Sequence, residues 1–153
     1  TLLVTTLASL RHDRKVRERR RVRDAGAPAV ERTATGEETG RAWEALELEL
    51  APGARSPLHA LSADKLFYVA AGTVTFVLGS ETVSGSAGGF AQIPAGTPHC
   101  YRNDSAEPAR LVVIVTGESQ VAFLRGMSRL AAGGPPEPAA VAAHAAEHGV
   151  TLI

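Results

Sequence analysis

The chain has 153 residues, enough for one domain with a hydrophobic core of its own. Apolar residues make up 44% and charged residues 21%, as in an ordinary globular protein, and 16 basic side chains balance 16 acidic ones. This balance disfavours both a strongly acidic disordered chain and a domain with a basic nucleic-acid-binding face. No run reaches 18 apolar residues, so neither a transmembrane helix nor a membrane partner is expected.

The zero net charge combines two oppositely charged regions. Residues 11–23 contain eight basic and two acidic side chains, a net charge of +6, which leaves −6 on the rest of the chain. Only Val16 and Val22 are apolar in that window, so no core-facing stripe exists. We therefore expect residues 1–25 to form a basic N-terminal arm, flexible or helical, and expect no nucleic-acid partner.

The cysteine content and the N-terminal sequence both bear on the compartment. Cys100 is the only cysteine, which excludes an internal disulfide and fits a reducing compartment. The first ten residues are apolar, but no basic region precedes them and a basic run follows. That order is wrong for a secretory signal. We expect a cytoplasmic protein.

Short strands separated by Gly and Pro are predicted from about residue 29 onward. Residues 42–50 alternate, with Leu46, Leu48 and Leu50 on one face, as in a half-buried strand. Further strands are predicted over 66–71, 73–78 and 110–116, the last with both faces buried, and residues 90–93 form a short segment that leads into a Pro- and Gly-containing turn. This spacing is typical of an antiparallel sandwich or barrel.

The periodicity changes after residue 117, where two helices are predicted. Over residues 118–130, Val121, Leu124 and Met127 recur at helical spacing. Residues 138–148 form a second, Ala-rich helix that ends at Gly149. The all-β region is therefore followed by a helical tail.

One motif is far more specific than the composition. It consists of Gly88, five residues, Pro94, one residue, Gly96, two residues, His99, three residues and Asn103. This pattern resembles the second motif of the cupin superfamily. Upstream, Gly53 and His59 open a segment that resembles the first cupin motif and closes at Gly72.

The resemblance covers roughly residues 30–116 and implies an all-β cupin jelly-roll β-barrel of six to eight strands. We expect that barrel over residues 26–117, followed by a C-terminal helical tail with two α-helices over 118–153. The tail resembles those of small bacterial quercetin 2,3-dioxygenase-like cupins. The resemblance also implies a homodimer.

Strand alternation predicts which motif side chains face the barrel lumen. Positions two apart share a face, so His59 shares one with Leu61, and His99 shares one with Tyr101. Metal-binding cupins of this kind add a His two residues after the first His, a Glu a few residues on, and the His of the second motif. The resemblance places Leu61 at the second His position and Lys65 at the Glu position. His59 and His99 alone remain of the four ligands.

Three interpretations of this degenerate metal site stay open. In the preferred one, no metal is bound, and Lys65, His59 and His99 catalyse proton chemistry of the isomerase, cyclase or dehydratase type on a planar hydroxy-carbonyl or aromatic metabolite. In the second, His59 and His99 bind a divalent transition metal weakly (Fe, Mn, Ni, Cu or Zn) in a quercetinase-like dioxygenase. In the third, the protein is a non-catalytic ligand-binding or accessory cupin. Burial would lower the pKa of Lys65, which favours a role as a base.

Several apolar side chains are candidates for contact with the small-molecule ligand. They are Tyr101, Phe67, Phe76 and Leu61, with Trp43 as a further aromatic candidate. Barrel aromatics are more often plain core than a binding surface. The aromatics alone therefore do not distinguish a pocket from a filled core.

Four further polar residues are weak candidates for ligands or nucleophiles. Asp64 could supply an oxygen ligand, but its parity places it on the face opposite to Lys65. Cys100 faces away from His99 and is expected to be a small packed residue rather than a nucleophile. His144 and His148 lie four apart on the second helix, a spacing that can bind a metal. We expect no third ligand nearby in the sequence and therefore interpret them as a solvated helix face.

Overall fold

The computed structural model describes residues 29–153, with side chains from residue 33 onward. The basic arm predicted over 1–25 lies outside the described residues. The strands are β1 (Ala29–Ala34), β2 (Trp43–Leu50), β3 (His59–Leu61), β4 (Lys65–Ala71), β5 (Thr73–Leu78), β6 (Glu81–Ser86), β7 (Phe90–Ile93), β8 (His99–Arg102), β9 (Ala109–Thr116) and β10 (Val150–Leu152). The helices are α1 (Gln120–Ala131) and α2 (Pro138–Glu147).

The strands form two five-stranded antiparallel sheets that enclose one core. The first has the order β1-β2-β9-β4-β7 and the second the order β10-β3-β8-β5-β6. This arrangement confirms the expected all-β jelly-roll with two C-terminal helices. The described residues contain ten strands rather than six to eight, because β1 and β10 each add one strand to the edge of a sheet.

The core follows from alternation along the strands. In β2, the residues Leu46, Leu48 and Leu50 are buried, as the sequence pattern predicts. The prediction that residues 110–116 are buried on both faces is wrong, because Ile114 is 37% exposed while its neighbours Val113 and Val115 are buried. The outer face of this sheet is uncovered at Ile114, so β9 alternates like the other strands.

The motif glycines and Asn103 shape the turns that hold the strands in place. Gly72 links β4 to β5 at a φ of 74°, where a Cβ atom would lie 2.8 Å from the carbonyl oxygen of Pro108. The Asn103 side chain, fully buried, donates to the carbonyl oxygens of Leu50 and Glu107 at 3.0 and 2.8 Å. Its oxygen accepts a hydrogen bond from the Ser105 amide. Asn103 therefore fastens the loop after β8 to the end of β2.

The C-terminal tail is attached to the barrel at both ends. The buried Glu44 carboxylate on β2 accepts a hydrogen bond from the Val121 amide in the first turn of α1, at 2.8 Å. After α2, strand β10 pairs with β3 so that Leu152 lies opposite His59. The tail thus contacts the strand that carries the first motif histidine. None of the helices in residues 29–153 has the length and apolar character needed to cross a membrane.

Candidate functional site

The two sheets bring together the three polar side chains that the sequence singled out. His59 on β3 pairs in register with His99 on β8, and Lys65 reaches them from β4 in the opposite sheet. The Lys65 Nζ atom lies 3.3 Å from His59 Nε2 and 3.1 Å from His99 Nε2. The two imidazole centroids are 4.3 Å apart. We call these three residues the Lys–His triad.

Backbone carbonyls fix the tautomer of both imidazoles. His59 Nδ1 lies 2.8 Å from the Pro57 carbonyl oxygen, and His99 Nδ1 lies 2.8 Å from that of Thr97. Because a carbonyl oxygen can only accept, each Nδ1 carries the hydrogen and donates it. Each Nε2 therefore presents a lone pair, and the Lys65 ammonium donates a hydrogen bond to both.

The burial of the triad sets its protonation states. Lys65 is 5% exposed, His59 8% and His99 1%. Burial lowers the pKa of Lys65 to about 7. Burial, and then the charge of Lys65, lower the pKa of His59 to about 3 and that of His99 to about 4. Near neutral pH the imidazoles are neutral, and the lysine is the group that gains and loses a proton.

Three of the predicted aromatics form a cluster beside the triad. The Phe67 ring centroid lies 5.3 Å from Lys65 Nζ, 5.3 Å from the Phe76 ring and 5.4 Å from the Tyr101 ring. Burial raises the pKa of Tyr101 above its usual range, so its hydroxyl stays protonated. Trp43 is 44% exposed at the start of β2 and does not belong to this cluster.

The residues around the two histidines do not fit a divalent metal. Catalytic metal sites use about three protein ligands. Leu61 is buried two positions after His59 but has no lone pair. Asp64 is exposed, and its carboxylate accepts a hydrogen bond from the Ala95 amide at 2.9 Å. Within residues 33–153, no third His, Cys, Asp or Glu ligand atom groups with those of His59 and His99. The Lys65 amine lies between the two Nε2 atoms, where a metal would need to bind.

A separate cavity of about 830 Å³ lies between α2, β10 and β3. Small and apolar residues such as Ala145 and Val150 line it, and so does Leu61, one of the predicted ligand contacts. The three triad residues do not line it. A ligand in this cavity would therefore not contact the Lys65 amine.

Sequence reasoning missed two groups of functional interest. The carbonyl oxygens of Pro57 and Thr97 fix the triad tautomers, and the only sequence signal is that each lies two residues before a motif histidine. The second group is Glu147, a third potential ligand beside His144 and His148. Glu147 lies between the two histidines in the sequence, and this position is the signal that could have identified it as a ligand. The interpretation of the two histidines as a solvated face is wrong for His144, which is half-buried against α1 and bonds to its backbone.

Comparison with known proteins gives a family match over the core of the barrel. A family model described as "Cupin domain" matches residues 46–115, which extend from β2 to β9. No match was found among curated proteins.

Three solved structures illustrate the similarity in fold. A sugar phosphate isomerase from a cupin superfamily of Silicibacter pomeroyi is 26% identical, with a TM-score of 0.52 and 60% of each chain covered. Oxalate decarboxylase from Bacillus subtilis, which has Mn(II) centres, is 18% identical with a TM-score of 0.58. The match covers 66% of this chain but 28% of that enzyme. A cupin domain of Schizosaccharomyces pombe is 19% identical with a TM-score of 0.53, covering 65% of this chain and 71% of that one.

Proposed function

Because this chain belongs to the cupin superfamily, we propose that it binds a small molecule in the barrel and moves a proton on it through Lys65. The observation that carries this proposal is the position of Lys65 Nζ, 3.3 and 3.1 Å from the two Nε2 lone pairs. A titrating amine held between two neutral imidazoles is an acid–base group with fixed geometry. The class of reaction that follows is isomerisation, cyclisation or dehydration.

In the proposed reaction, Lys65 transfers the proton directly, first as a base and then as an acid. The neutral Lys65 amine removes a proton from a carbon next to a carbonyl group, which leaves an enolate and an ammonium ion. The lone pairs of His59 and His99 accept hydrogen bonds from that ammonium, and its positive charge stabilises the enolate. The ammonium then returns the proton to a different atom of the substrate. A pKa of about 7 for Lys65 suits both steps near neutral pH.

The substrate class is proposed from the surroundings of the amine. Phe67, Phe76 and Tyr101 pack beside the triad, and an aromatic surrounding of the amine favours a planar, weakly polar molecule over a phosphorylated one. The sugar phosphate isomerase similar to this chain supports the proposed reaction class, isomerisation, and not the proposed substrate class, because its name denotes a phosphorylated substrate. A planar hydroxy-carbonyl or aromatic metabolite is therefore the proposed substrate.

A metal-dependent, quercetinase-like dioxygenase is the second candidate. The two converging Nε2 lone pairs favour it, because imidazole nitrogen binds Fe, Mn, Ni, Cu and Zn. It requires Lys65 to deprotonate and move from between the two histidines. A non-catalytic ligand-binding or accessory cupin is the third candidate, and the low exposure of the triad favours it.

Deuterium exchange into a probe substrate tests the proposal without knowledge of the natural reaction. Dihydroquercetin is a suitable probe, because it has one carbon-bound hydrogen next to its ketone. In D2O containing EDTA, the full chain is expected to accelerate loss of that proton NMR signal over the buffer rate. Lys65→Met should slow the exchange about 100-fold or more, as expected for loss of a general base.

Two control variants test whether the exchange depends on a base at position 65, and metal dependence distinguishes the dioxygenase. Lys65→Arg keeps the charge but cannot act as a base near pH 7, so exchange should be lost as in Lys65→Met. Glu81→Gln, an exposed change on β6, should leave exchange unchanged. Exchange that persists in Lys65→Met would contradict the proposal. Activity that disappears in EDTA and returns with Fe, Mn, Ni, Cu or Zn would support the dioxygenase candidate instead.

We also propose a homodimer formed through the outer surface of the β1-β2-β9-β4-β7 sheet. Phe90 is 70% exposed and Ile114 37%, and the rings of Phe90 and Tyr68 lie 5.0 Å apart. Adjacent exposed apolar side chains of this kind are typical of an interaction surface. We call Tyr68, Phe90 and Ile114 the apolar outer face.

A further inference from the structure

We propose that His144, Glu147 and His148, at the C-terminal end of α2, bind one divalent transition metal ion. We call these three residues the helix site. It is built from α2 and lies apart from the Lys–His triad, which is carried by β3, β4 and β8. The proposal does not depend on the proposed function of the barrel.

The first support is the grouping of the ligand atoms. One nitrogen or oxygen from each of the three side chains lies within 4.8 Å of the others. His144 Nδ1 is 3.9 Å from Glu147 Oε2, and the imidazole centroids of His144 and His148 are 4.6 Å apart. Residues at i, i+3 and i+4 share one helix face, so the backbone itself places the three side chains together.

The second support is the orientation of His144. Its Nε2 atom lies 2.9 Å from the Phe123 carbonyl oxygen on α1, and this carbonyl can only accept. Nε2 therefore carries the hydrogen, and Nδ1 presents its lone pair on the side of Glu147. A hydrogen bond from the second ring nitrogen to a carbonyl group is the usual support of a metal-binding histidine.

Packing also fixes the plane of the His144 ring. The ring stacks on Phe123 with centroids 5.5 Å apart and an interplanar angle of 13°. Gly126 leaves the space that the ring fills, because a Cβ atom there would lie 2.0 Å from His144 Nε2. One ligand is thus held rigidly before any ion binds, which reduces the entropy cost of binding.

The donor set indicates the class of metal. Two imidazole nitrogens and one carboxylate oxygen suit Zn²⁺, and also Ni²⁺ and Cu²⁺. With metal–nitrogen bonds of about 2.0 Å, ligand atoms of a tetrahedral site lie about 3.3 Å apart. The Glu147 side chain is 75% exposed and free to rotate inward by the distance required. Water would occupy the fourth position.

A bound ion would stabilise the attachment of the tail. His148 is the C-terminal cap of α2, and Gly149 follows it and accepts a hydrogen bond from the Ser62 amide at 2.9 Å. Strand β10 begins at the next residue and pairs with β3. Binding to the folded state alone raises thermal stability as the free metal concentration rises.

Calorimetry tests the proposal. The metal-free full chain is titrated with Zn²⁺ in competition with a chelator of known affinity, which gives the Zn²⁺ affinity and the number of ions bound per chain. We expect one ion per chain, and a melting temperature that rises with Zn²⁺ concentration. His148→Ala should weaken binding about 100-fold, and Glu147→Gln about 10-fold. Glu137→Gln, an exposed carboxylate at the opposite end of α2 without a capping hydrogen bond, is the matched control and should bind as the wild type does.

Histidine ¹⁵N NMR identifies the site without any substitution. Binding at the helix site should shift the imidazole signals of His144 and His148 and leave those of His59 and His99 unchanged. Two results would overturn the proposal. One is Zn²⁺ affinity that is absent, or that is equal in the wild type, His148→Ala and Glu147→Gln. The other is a shift confined to His59 and His99, which would place the ion in the barrel.

Discussion

At the scale of single residues, the most consequential side chain is Lys65. It places a cation inside the barrel at the position where the family resemblance predicts a metal-binding carboxylate. Two histidine lone pairs and the face of Phe67 surround this amine, yet burial still lowers its pKa to about 7. These contacts therefore compensate only part of the cost of removing the charge from water.

The lowered pKa predicts a pH-dependent stability. In the unfolded chain Lys65 keeps a pKa near 10.5, so between pH 7 and 10.5 the unfolded state binds more protons at this residue. The free energy of unfolding should therefore rise with pH in this window, by about 1.4 kcal/mol per pH unit from Lys65. Lys65→Met should lack that contribution. Urea unfolding of both proteins at pH 7.5, 8.5 and 9.5 measures it, and parallel curves would contradict the assignment.

At the scale of elements, helices α1 and α2 meet where a glycine faces a histidine. Gly126 is buried in α1, although glycine is a poor helix former. The close approach of the His144 ring gives the reason, because any side chain at position 126 would overlap it. The same contact orients the helix site, so helix packing and ligand geometry depend on one small residue.

Gly126→Ala should therefore destabilise the protein despite the higher helix propensity of alanine. We expect a loss of about 1–3 kcal/mol in the free energy of unfolding, because the His144 ring must move. The same variant should weaken Zn²⁺ binding. Gly133→Ala is the matched control, because nothing lies within 4 Å of its Cβ position, and it should change stability by less than about 0.5 kcal/mol. Equal stabilities for the two variants would count against this account.

At the scale of the whole molecule, buried polar and aromatic side chains lie between the two sheets, and part of the outer surface of the barrel is apolar. The triad and the aromatic cluster occupy the interior between the sheets, whereas the apolar outer face leaves Phe90 mostly exposed. Exposure of a large apolar side chain to water does not stabilise a monomer. The second copy of the chain proposed above would cover it.

Phe90→Glu should therefore favour the monomer. We expect the wild type to have the mass of a dimer in light scattering coupled to size exclusion, and the variant to have half that mass, because a buried charge at the interface is costly. Val83→Glu, a change at a 41% exposed apolar position on β6 in the other sheet, should remain dimeric. A wild-type protein that is monomeric at high concentration would refute the proposed dimer.

The sequence by itself determined most of the strands and both helices, and its resemblance to the cupins implied the jelly-roll fold. Alternation and helical spacing are local properties, so β2 and β5 could be predicted nearly to their ends. Strands without that signal could not be predicted. In β6 every residue but one is exposed, and β10 has only three residues. The exposure of Ile114 on β9 was also inaccessible, because it depends on what covers the outer side of the sheet.

For the sites, sequence identified the chemistry-bearing residues and only the tertiary structure decided their relations. Parity along two strands predicted that His59 and His99 face inward, but the approach of Lys65 Nζ to both rings depends on how the two sheets close. In the helix site, too, sequence identified the residues and the tertiary structure decided their orientation. Spacing placed His144 beside His148, whereas the hydrogen bond that orients His144 comes from Phe123 on another helix. Periodicity assigns a side chain to a face, but distances, tautomers and pKa values arise from contacts between segments far apart in the chain.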